Sequence, residues 1–334
     1  MLRTRFIRAS SAAAAVLLGC GLQGALAAEN WDMAQEYNPT SIHGEGDAFF
    51  AEQVAEKSGG EIKITVHYGG ALGYKSLDQF DAVGDGAIPI ADSYVGPWGG
   101  IDPIFLLPSL PFLAKTAEEA RLLYEVAKPY YDEVFAANNQ MLLYASPWPP
   151  SGIWAKKPVD SMEALKNLKI RTYDANGTIT LKAAGAAPIQ LSWADVIPQL
   201  STGGIEAVLT SAEGGVNSKF WEHLDHFTEI NYAMPLNMVH INLDTFNGLS
   251  PELQQAVLDA AEVTSDRNWQ AVLKRREMNY ETMKKNGVTV VTGVSEEYLE
   301  ALREAGQEAL NDWLEKTGDK GKAIMEAYQA KLGG

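Results

Sequence analysis

Cysteine is almost absent from this chain of 334 residues, in which Cys20 is the only one. It lies in a first stretch with three arginines, an apolar run from Ala12 to Leu22 and the small-residue sequence Ala25-Leu26-Ala27. These are the features of a cleaved secretory signal peptide, which we predict to cover residues 1–28. The remaining chain then contains no cysteine, which excludes disulfide bonds and thiol chemistry.

Long apolar runs are also missing after this first stretch, and none approaches the roughly 20 apolar residues that a transmembrane helix needs. We therefore expect the mature chain to be soluble. Leu17-Leu18-Gly19 before Cys20 resembles a lipobox, the site at which bacterial lipoproteins are cleaved and acylated. Acylation at Cys20 remains an alternative to cleavage near Ala28.

Basic residues are few, with 27 lysines and arginines against 43 acidic residues and a formal net charge of −16. Such a surface repels nucleic acids and anionic membranes. We therefore expect no nucleic-acid partner. The acidic excess is typical of a solvated surface and does not describe the ligand.

Motifs for catalysis and nucleotide binding are absent as well. The chain has no Gly-x-Gly-x-x-Gly, no phosphate-binding Gly-x-x-x-x-Gly-Lys-Ser/Thr and no Gly-x-Ser-x-Gly sequence. Of the five histidines, His223 and His226 would share one helical face beside Asp225, but a third well-spaced metal ligand is missing. We predict that the protein is not an enzyme and holds no metal or cofactor.

The order of apolar runs and amphipathic stretches is typical of an α/β protein, and the length favours two lobes. We predict strands at 32–36, 61–67, 87–92, 141–145, 169–173, 188–191, 207–210, 237–243 and 288–291. Helices are expected at 46–57, 76–83, 117–136, 178–184 and 193–200. Four prolines between Gly96 and Phe112 predict irregular backbone there. The sequence Ser250-Pro251-Glu252 predicts the start of a helix that runs to about Lys285, long enough to brace both lobes.

Arg171 stands at the end of an apolar strand, Leu168 to Tyr173. In open α/β sheets ligands bind at the carboxyl ends of strands, and a guanidinium there can hold a carboxylate through two parallel hydrogen bonds. The alternative is a structural salt bridge.

The sequence resembles the TRAP (tripartite ATP-independent periplasmic) transporter substrate-binding proteins over essentially the whole mature chain. The resembling segments are Glu56-Lys57-Ser58-Gly59-Gly60-Glu61-Ile62, Lys157-Pro158-Val159, Leu165-Lys166-Asn167-Leu168-Lys169-Ile170-Arg171, Gly203-Gly204-Ile205-Glu206-Ala207 and the long late helix. The run through Arg171 is the most diagnostic of them.

The resemblance implies a two-lobed periplasmic binding protein fold with a long helix spanning both lobes. We expect lobe I to comprise residues 29–148 and about 237–276, and lobe II residues 149–236 and about 277–334. It also implies a periplasmic protein that captures a small solute between the lobes and delivers it to membrane permease subunits. We expect this protein to be a monomer. A ligand-sensing partner of a signalling receptor remains an alternative of another class.

Arg171 resembles the family's carboxylate-binding arginine, and several other positions resemble ligand-lining ones. The predicted ligand-binding residues are Arg171, Glu36, Tyr37, Asn38, Asp92, Ser93, Trp148, Trp154, Ser211 and Glu213. Tyr94 adds to the aromatic residues of this set, whereas Trp193 and Trp221 are predicted to belong to the core.

A second family arginine is missing, since the corresponding stretch reads Ser151-Gly152-Ile153-Trp154. We still expect a small organic acid as the ligand, bound through Arg171. The alternative is a small amine, amino alcohol or zwitterion, which would use Glu36, Asp92 or Glu213.

Overall fold

The computed structural model describes residues 29–333, so the predicted signal peptide and Cys20 lie outside the described residues. Within that range two β-sheets are flanked by helices, which confirms the predicted α/β class with two lobes. No helix in this part of the chain combines the length and the apolarity needed to cross a membrane.

The five-stranded sheet of the first lobe has the order β2-β1-β3-β10-β4. Its strands are β1 (Glu29–Gln35), β2 (Ile62–His67), β3 (Ile90–Tyr94), β4 (Gln140–Pro147) and β10 (Leu236–Asn242). β1 pairs in parallel with β2 and β3, whereas β10 is antiparallel to β3 and β4. The late strand β10 thus returns to the first sheet, as predicted.

The six-stranded sheet of the second lobe has the order β11-β9-β5-β8-β6-β7. Its strands are β5 (Ser151–Ala155), β6 (Lys169–Thr172), β7 (Ala187–Gln190), β8 (Ala207–Ser211), β9 (His226–Thr228) and β11 (Thr289–Val291). β6 is parallel to β7 and β8, and β5 is antiparallel to β8. Strands β5 and β9 were not predicted, because they are short and follow proline-rich or charged segments.

Eleven α-helices are described between residues 29 and 333. They are α1 (Ile42–Lys57), α2 (Ser76–Gly84), α3 (Ala117–Ala137), α4 (Met162–Leu165), α5 (Ala175–Ala183), α6 (Trp193–Thr202), α7 (Ala212–Asn217), α8 (Leu243–Asn247), α9 (Pro251–Lys285), α10 (Glu296–Thr317) and α11 (Asp319–Leu332). The predicted helical face carrying His223 and His226 is wrong. A 3-10 turn at Phe220–Glu222 precedes this segment, and His226 begins strand β9.

Helix α1 begins four residues before the predicted start, because Ser41 caps it by accepting a hydrogen bond from the backbone N–H of Gly44 at 3.0 Å. Two glycines within the helix allow close packing. A Cβ at Gly44 would lie 2.4 Å from the carbonyl oxygen of Asn38, and one at Gly46 would lie 2.4 Å from the side chain of Asn268. The N-terminal end of α1 is therefore held tightly between the preceding loop and α9.

Helix α9 has 35 residues and so spans about 52 Å. Ser250 caps it, and Pro251 occupies its first turn, as predicted. Its N-terminal part packs through Val257 in the core of the first sheet, and its C-terminal part packs through Met283 in the core of the second. The helix therefore contacts both lobes.

The proline-rich segment forms two 3-10 helices, Gly96–Gly100 and Pro103–Ser109, whose apolar side chains belong to the largest core cluster. Trp313 of α10 and Tyr328 of α11 join the same cluster. The chain crosses between the sheets from Pro147 to Ser151 and again between β9 and β10. The exact lobe boundaries stay a prediction.

Candidate functional site

The site lies where strands of both sheets end. Glu36 and Tyr37 follow β1, Tyr94 ends β3, Tyr173 follows β6 and Ser211 ends β8. Because these ends face the gap between the lobes, their side chains surround one cleft.

Two connected cavities fill this cleft. The inner cavity is lined by Tyr37, Tyr94, Trp148, Ser151, Arg171, Tyr173, Trp193, Thr210, Ser211 and Pro235. The outer cavity shares five of these residues and adds Glu36, Ser76, Leu77, Pro97, Gln190, Leu191 and Ser192. The outer cavity has a volume of about 290 Å³, and the inner one adds about 20 Å³. This lies at the small end of the roughly 300 to 1,000 Å³ typical of ligand pockets, so the space suits a small molecule.

Arg171 is the central polar residue of the cleft and is only 4% exposed. Its Nε donates a hydrogen bond to the carbonyl oxygen of Leu191 at 3.0 Å, and Nη1 donates to that of Leu209 at 3.4 Å. Among residues 29–333, no carboxylate lies within 4 Å of the guanidinium. The predicted alternative, a structural salt bridge, is therefore wrong for this arginine within the described chain.

Burial lowers the pKa of Arg171, and the nearby Tyr37, Tyr94 and Glu36 oppose that shift. An arginine nevertheless keeps its proton in proteins. A buried cation without an ionic partner is costly, and it is stabilised when an anion reaches it. The site thus has the electrostatics of an anion receptor.

Aromatic rings surround the guanidinium. Its central carbon lies 5.4 Å from the ring centroid of Trp193 and 5.8 Å from that of Tyr173, within the range of cation–π attraction. Tyr37 packs edge-on against Trp148 with centroids 4.7 Å apart, and its centroid lies 5.8 Å from that of Trp193. These rings orient the arginine and give the cavity apolar walls.

Glu36 supplies the opposite charge on the wall of the outer cavity. Its Oε2 accepts hydrogen bonds from the backbone N–H of Ser76 at 2.9 Å and from the Ser76 hydroxyl at 2.6 Å. Its Oε1 accepts only a long one, 3.4 Å, from the backbone N–H of Ala194 across the cleft. No cation in the described part of the chain lies within 4 Å of this carboxylate.

The cavities therefore bring together five of the ten predicted ligand-binding residues: Glu36, Tyr37, Trp148, Arg171 and Ser211. Their role in ligand binding stays a prediction. The other five lie outside the cavity walls.

Asp92 and Ser93 are buried beneath the cleft. The carboxylate of Asp92 accepts hydrogen bonds from Asn237 at 2.8 Å and Gln35 at 2.9 Å, and burial raises its pKa to about 6. The hydroxyl of Ser93 contacts Gln79 and His240. Through these hydrogen bonds the two side chains connect β3 to β1, β10 and α2.

The remaining three predicted residues lie in contacts between or within the lobes. Trp154 is fully buried, packs against Phe220 and Phe227, and donates its indole N–H to the carbonyl oxygen of Ser211 at 3.2 Å. Asn38 donates to the carbonyl oxygen of Asn217 at 2.8 Å. Glu213 of α7 is fully buried, and its carboxylate accepts hydrogen bonds from Ile42 of α1 and Asn279 of α9.

Five further cavity-lining residues were not predicted as ligand-binding: Trp193, Tyr173, Ser151, Thr210 and Pro235. Trp193 packs against the core, as predicted, but it also lines the cavity. Tyr173 was detectable, since it directly follows the strand that carries Arg171. Trp193 stands at the first position of α6, and only the packing of that helix end against the cleft shows its ring facing Arg171. No cluster of three or more potential metal ligands occurs between residues 29 and 333.

The known proteins that this chain resembles in sequence and structure are bacterial solute-binding proteins. The sequence model of the bacterial extracellular solute-binding proteins of family 7, DctP, matches residues 33–317. The chain is 28% identical over 333 residues to the ectoine/5-hydroxyectoine-binding periplasmic protein UehA of Ruegeria pomeroyi, covering 96% of this chain and 95% of that protein.

Two solved structures share the fold at a TM-score of 0.87. One is DctP7, a Bordetella pertussis extracytoplasmic solute receptor binding pyroglutamic acid, at 30% identity over 90% of this chain and 100% of that one. The other is a pyroglutamate-specific TRAP solute-binding protein from a marine metagenome, at 31% identity over 91% of this chain and 100% of that one.

Proposed function

The chain belongs to the bacterial extracellular solute-binding proteins of family 7, the substrate-binding proteins of TRAP transporters, and on that premise we propose that its cleft binds a small cyclic carboxylate. One observation carries the proposal. The guanidinium of Arg171 is buried and lacks a carboxylate partner among residues 29–333. A ligand carboxylate supplies that partner through paired charge-assisted hydrogen bonds.

The second pole of the cleft narrows the ligand class. Glu36 lines the same outer cavity as Arg171, and its Oε1 has spare capacity to accept a hydrogen bond. A molecule that carries both a carboxylate and an N–H group can pair with Arg171 and Glu36 at the same time. An amine without a carboxylate leaves Arg171 unpaired, so we favour an acid or a zwitterion over a simple amine.

The walls favour a compact ring. Tyr37, Trp148 and Trp193 present apolar ring surfaces, and the cavity has little volume for a long chain. Pyroglutamate is a five-membered lactam with one carboxylate, and it is the ligand of two receptors about 30% identical to this chain. We propose pyroglutamate first. Ectoine, a cyclic amidine carboxylate and a ligand of the Ruegeria relative, is the second candidate because Glu36 can offset its positive charge.

In the cell, we propose that the protein is exported to the periplasm and delivers its ligand to the membrane permease subunits of a TRAP transporter. The leader-like residues 1–28 and the family membership support this placement. We further propose that it acts as a monomer and as a receptor without catalytic activity.

Isothermal titration calorimetry of the exported, processed protein tests the ligand class. The probes are pyroglutamate, ectoine and cyclopentanecarboxylate, which has the ring and the carboxylate but no N–H group. We expect the two nitrogen-containing acids to include the tightest binder. Equal affinity for cyclopentanecarboxylate contradicts the role of Glu36, and heat from none of the three contradicts the cyclic-acid proposal.

A further inference from the structure

Glu213 occupies a position where several hydrogen-bond donors meet. Its side chain is fully buried in α7, two residues after the cavity-lining Ser211. Oε1 accepts from the backbone N–H of Ile42 at 2.9 Å and from Nδ2 of Asn217 at 3.0 Å. Oε2 accepts from Nδ2 of Asn279 at 2.6 Å, and the Arg275 guanidinium lies 3.7 Å from Oε1.

These donors belong to different parts of the molecule. Ile42 is the first residue of α1 in the first lobe, while Glu213 follows β8 of the second lobe. Asn279 and Arg275 lie on α9, which contacts both lobes. The carboxylate therefore joins the two lobes directly and fastens their contact to the spanning helix.

The neighbouring residues extend this contact. Nδ2 of Asn38 donates to the carbonyl oxygen of Asn217 at 2.8 Å, and the hydroxyl of Thr40 donates to Oδ1 of Asn217 at 2.8 Å. The loop before α1 is thus hydrogen-bonded to Asn217, the last residue of α7. We call residues 38, 40, 42, 213 and 217 the α1–α7 latch.

Only a carboxylate satisfies all these donors, because an ionised glutamate accepts hydrogen bonds and donates none. In the present orientation of the Asn279 amide, a glutamine at this buried position would turn an N–H group toward an N–H donor, and it would also remove the negative charge beside Arg275. A buried polar group left without a partner is costly.

A second contact across the cleft is more exposed. Lys75 pairs with Asp195 at 2.9 Å, but their side chains are 41% and 46% exposed. Water and salt weaken exposed ion pairs. We therefore expect the buried hydrogen bonds of Glu213 to hold the lobes together more strongly than the Lys75–Asp195 pair.

We infer that Glu213 is a positioning residue that holds the lobes together over the ligand cavity, and that it slows ligand release without contacting the ligand. The inference rests on the proposed binding function. Glu213 is only two residues from Ser211, which lines the cavity. We therefore expect closure of the lobes to bring the cavity wall and the latch into position together. Breaking the latch shifts the protein toward separated lobes.

The test combines Glu213→Gln with a distance measurement between the lobes. The processed chain has no cysteine, so Lys63→Cys and Lys166→Cys, both exposed and on different lobes, accept two spin labels. Without ligand, we expect wild type to include a population at the short interlobe distance and Glu213→Gln to lose much of it. With pyroglutamate, we expect release to become about tenfold faster, as for one lost hydrogen bond to a charged group.

Glu206→Gln is the matched control, because Glu206 is exposed on the same lobe and outside the latch. Thr40→Val removes one interlobe hydrogen bond without disturbing a buried charge, and it replaces Glu213→Gln if that variant fails to fold. We expect it to shift the distances in the same direction.

The interlobe distances measured without ligand distinguish the proposal of the latch from the proposal of the ligand. If pyroglutamate fails to bind but Glu213→Gln loses the short distance, the ligand assignment fails and the latch stands. The latch is overturned if ligand-free wild type lacks the short distance, or if the folded variants keep wild-type distances. Weaker binding at unchanged distances also overturns it, because Glu213 would then act as a ligand contact.

Discussion

The hydroxyl of Tyr94 donates a hydrogen bond to Oδ2 of Asp174 at 2.8 Å, joining strand β3 of one lobe to the start of α5 in the other. Asp174 also caps α5 by accepting from the backbone N–H of Gly177 at 3.0 Å. Burial raises the pKa of both Tyr94 and Asp174. Their bond thus forms a dry interlobe contact beside the ligand cavity.

We expect Tyr94→Phe to weaken ligand binding about tenfold, because it removes this donor and leaves a buried carboxylate with fewer partners. Calorimetry with pyroglutamate measures the change. Tyr130→Phe, which alters a partly exposed tyrosine of α3 away from the cleft, is the control. Wild-type affinity in Tyr94→Phe would show that this bond does not contribute to the closed form.

Replacing Glu36 tests ligand selectivity. We expect Glu36→Gln to weaken pyroglutamate binding about tenfold and to affect cyclopentanecarboxylate much less, because only the first has an N–H group for Oε1. Competition calorimetry gives the ratio of the two affinities. Glu61→Gln, an exposed change on the same lobe, is expected to leave that ratio unaltered, and an unaltered ratio in Glu36→Gln would remove this residue from recognition.

The buried acids beneath the cleft predict a pH effect on stability. Burial raises the folded-state pKa of Asp92 from 3.8 to about 6, and it also raises that of its neighbour Asp47. As the pH falls from 7 to 5, the folded form binds a proton at Asp92 before the unfolded form does. The free energy of unfolding should therefore rise by about 1 kcal/mol from this group.

Urea denaturation at pH 7 and pH 5 measures this contribution as a difference between wild type and Asp92→Asn. We expect the variant to gain less stability on acidification than wild type. The same gain in both proteins would mean that Asp92 titrates near its ordinary value.

Much of the fold could be predicted because its strands and helices have strong local signals. Three examples are the apolar run of β3, the glycines that end α1 and the Ser250-Pro251 start of α9. Each of these signals lies within a few consecutive residues, so it can be found without knowledge of the tertiary contacts. Strand β5 was not predicted, since five residues after a proline pair carry too little periodicity. Its pairing with β8 and β9 depends on contacts distant in sequence.

The candidate site was predictable to the level of strand ends but not of side-chain direction. Arg171 could be predicted because a charged residue at the end of an apolar strand is unusual, whereas Glu36 was predicted from the family resemblance. Glu213 has the same local pattern, yet its carboxylate turns toward Ile42 and Asn279. Only the packing of α1 and α9 determines that direction, and no property of residues 211–213 encodes it.

Arg171→Ala tests the central claim most directly, with calorimetry against pyroglutamate and the other panel acids. Arg303→Ala is the control, because Arg303 is partly exposed and already paired with Glu296 and Glu300. We predict at least about a hundredfold weaker binding in Arg171→Ala, as for loss of one partner of a buried charge pair. The replacement removes the cost of burying an unpaired cation but also the hydrogen bonds to Leu191 and Leu209, so we expect the melting temperature of the ligand-free protein to change little. Wild-type affinity for the acids in a folded Arg171→Ala protein would contradict the account.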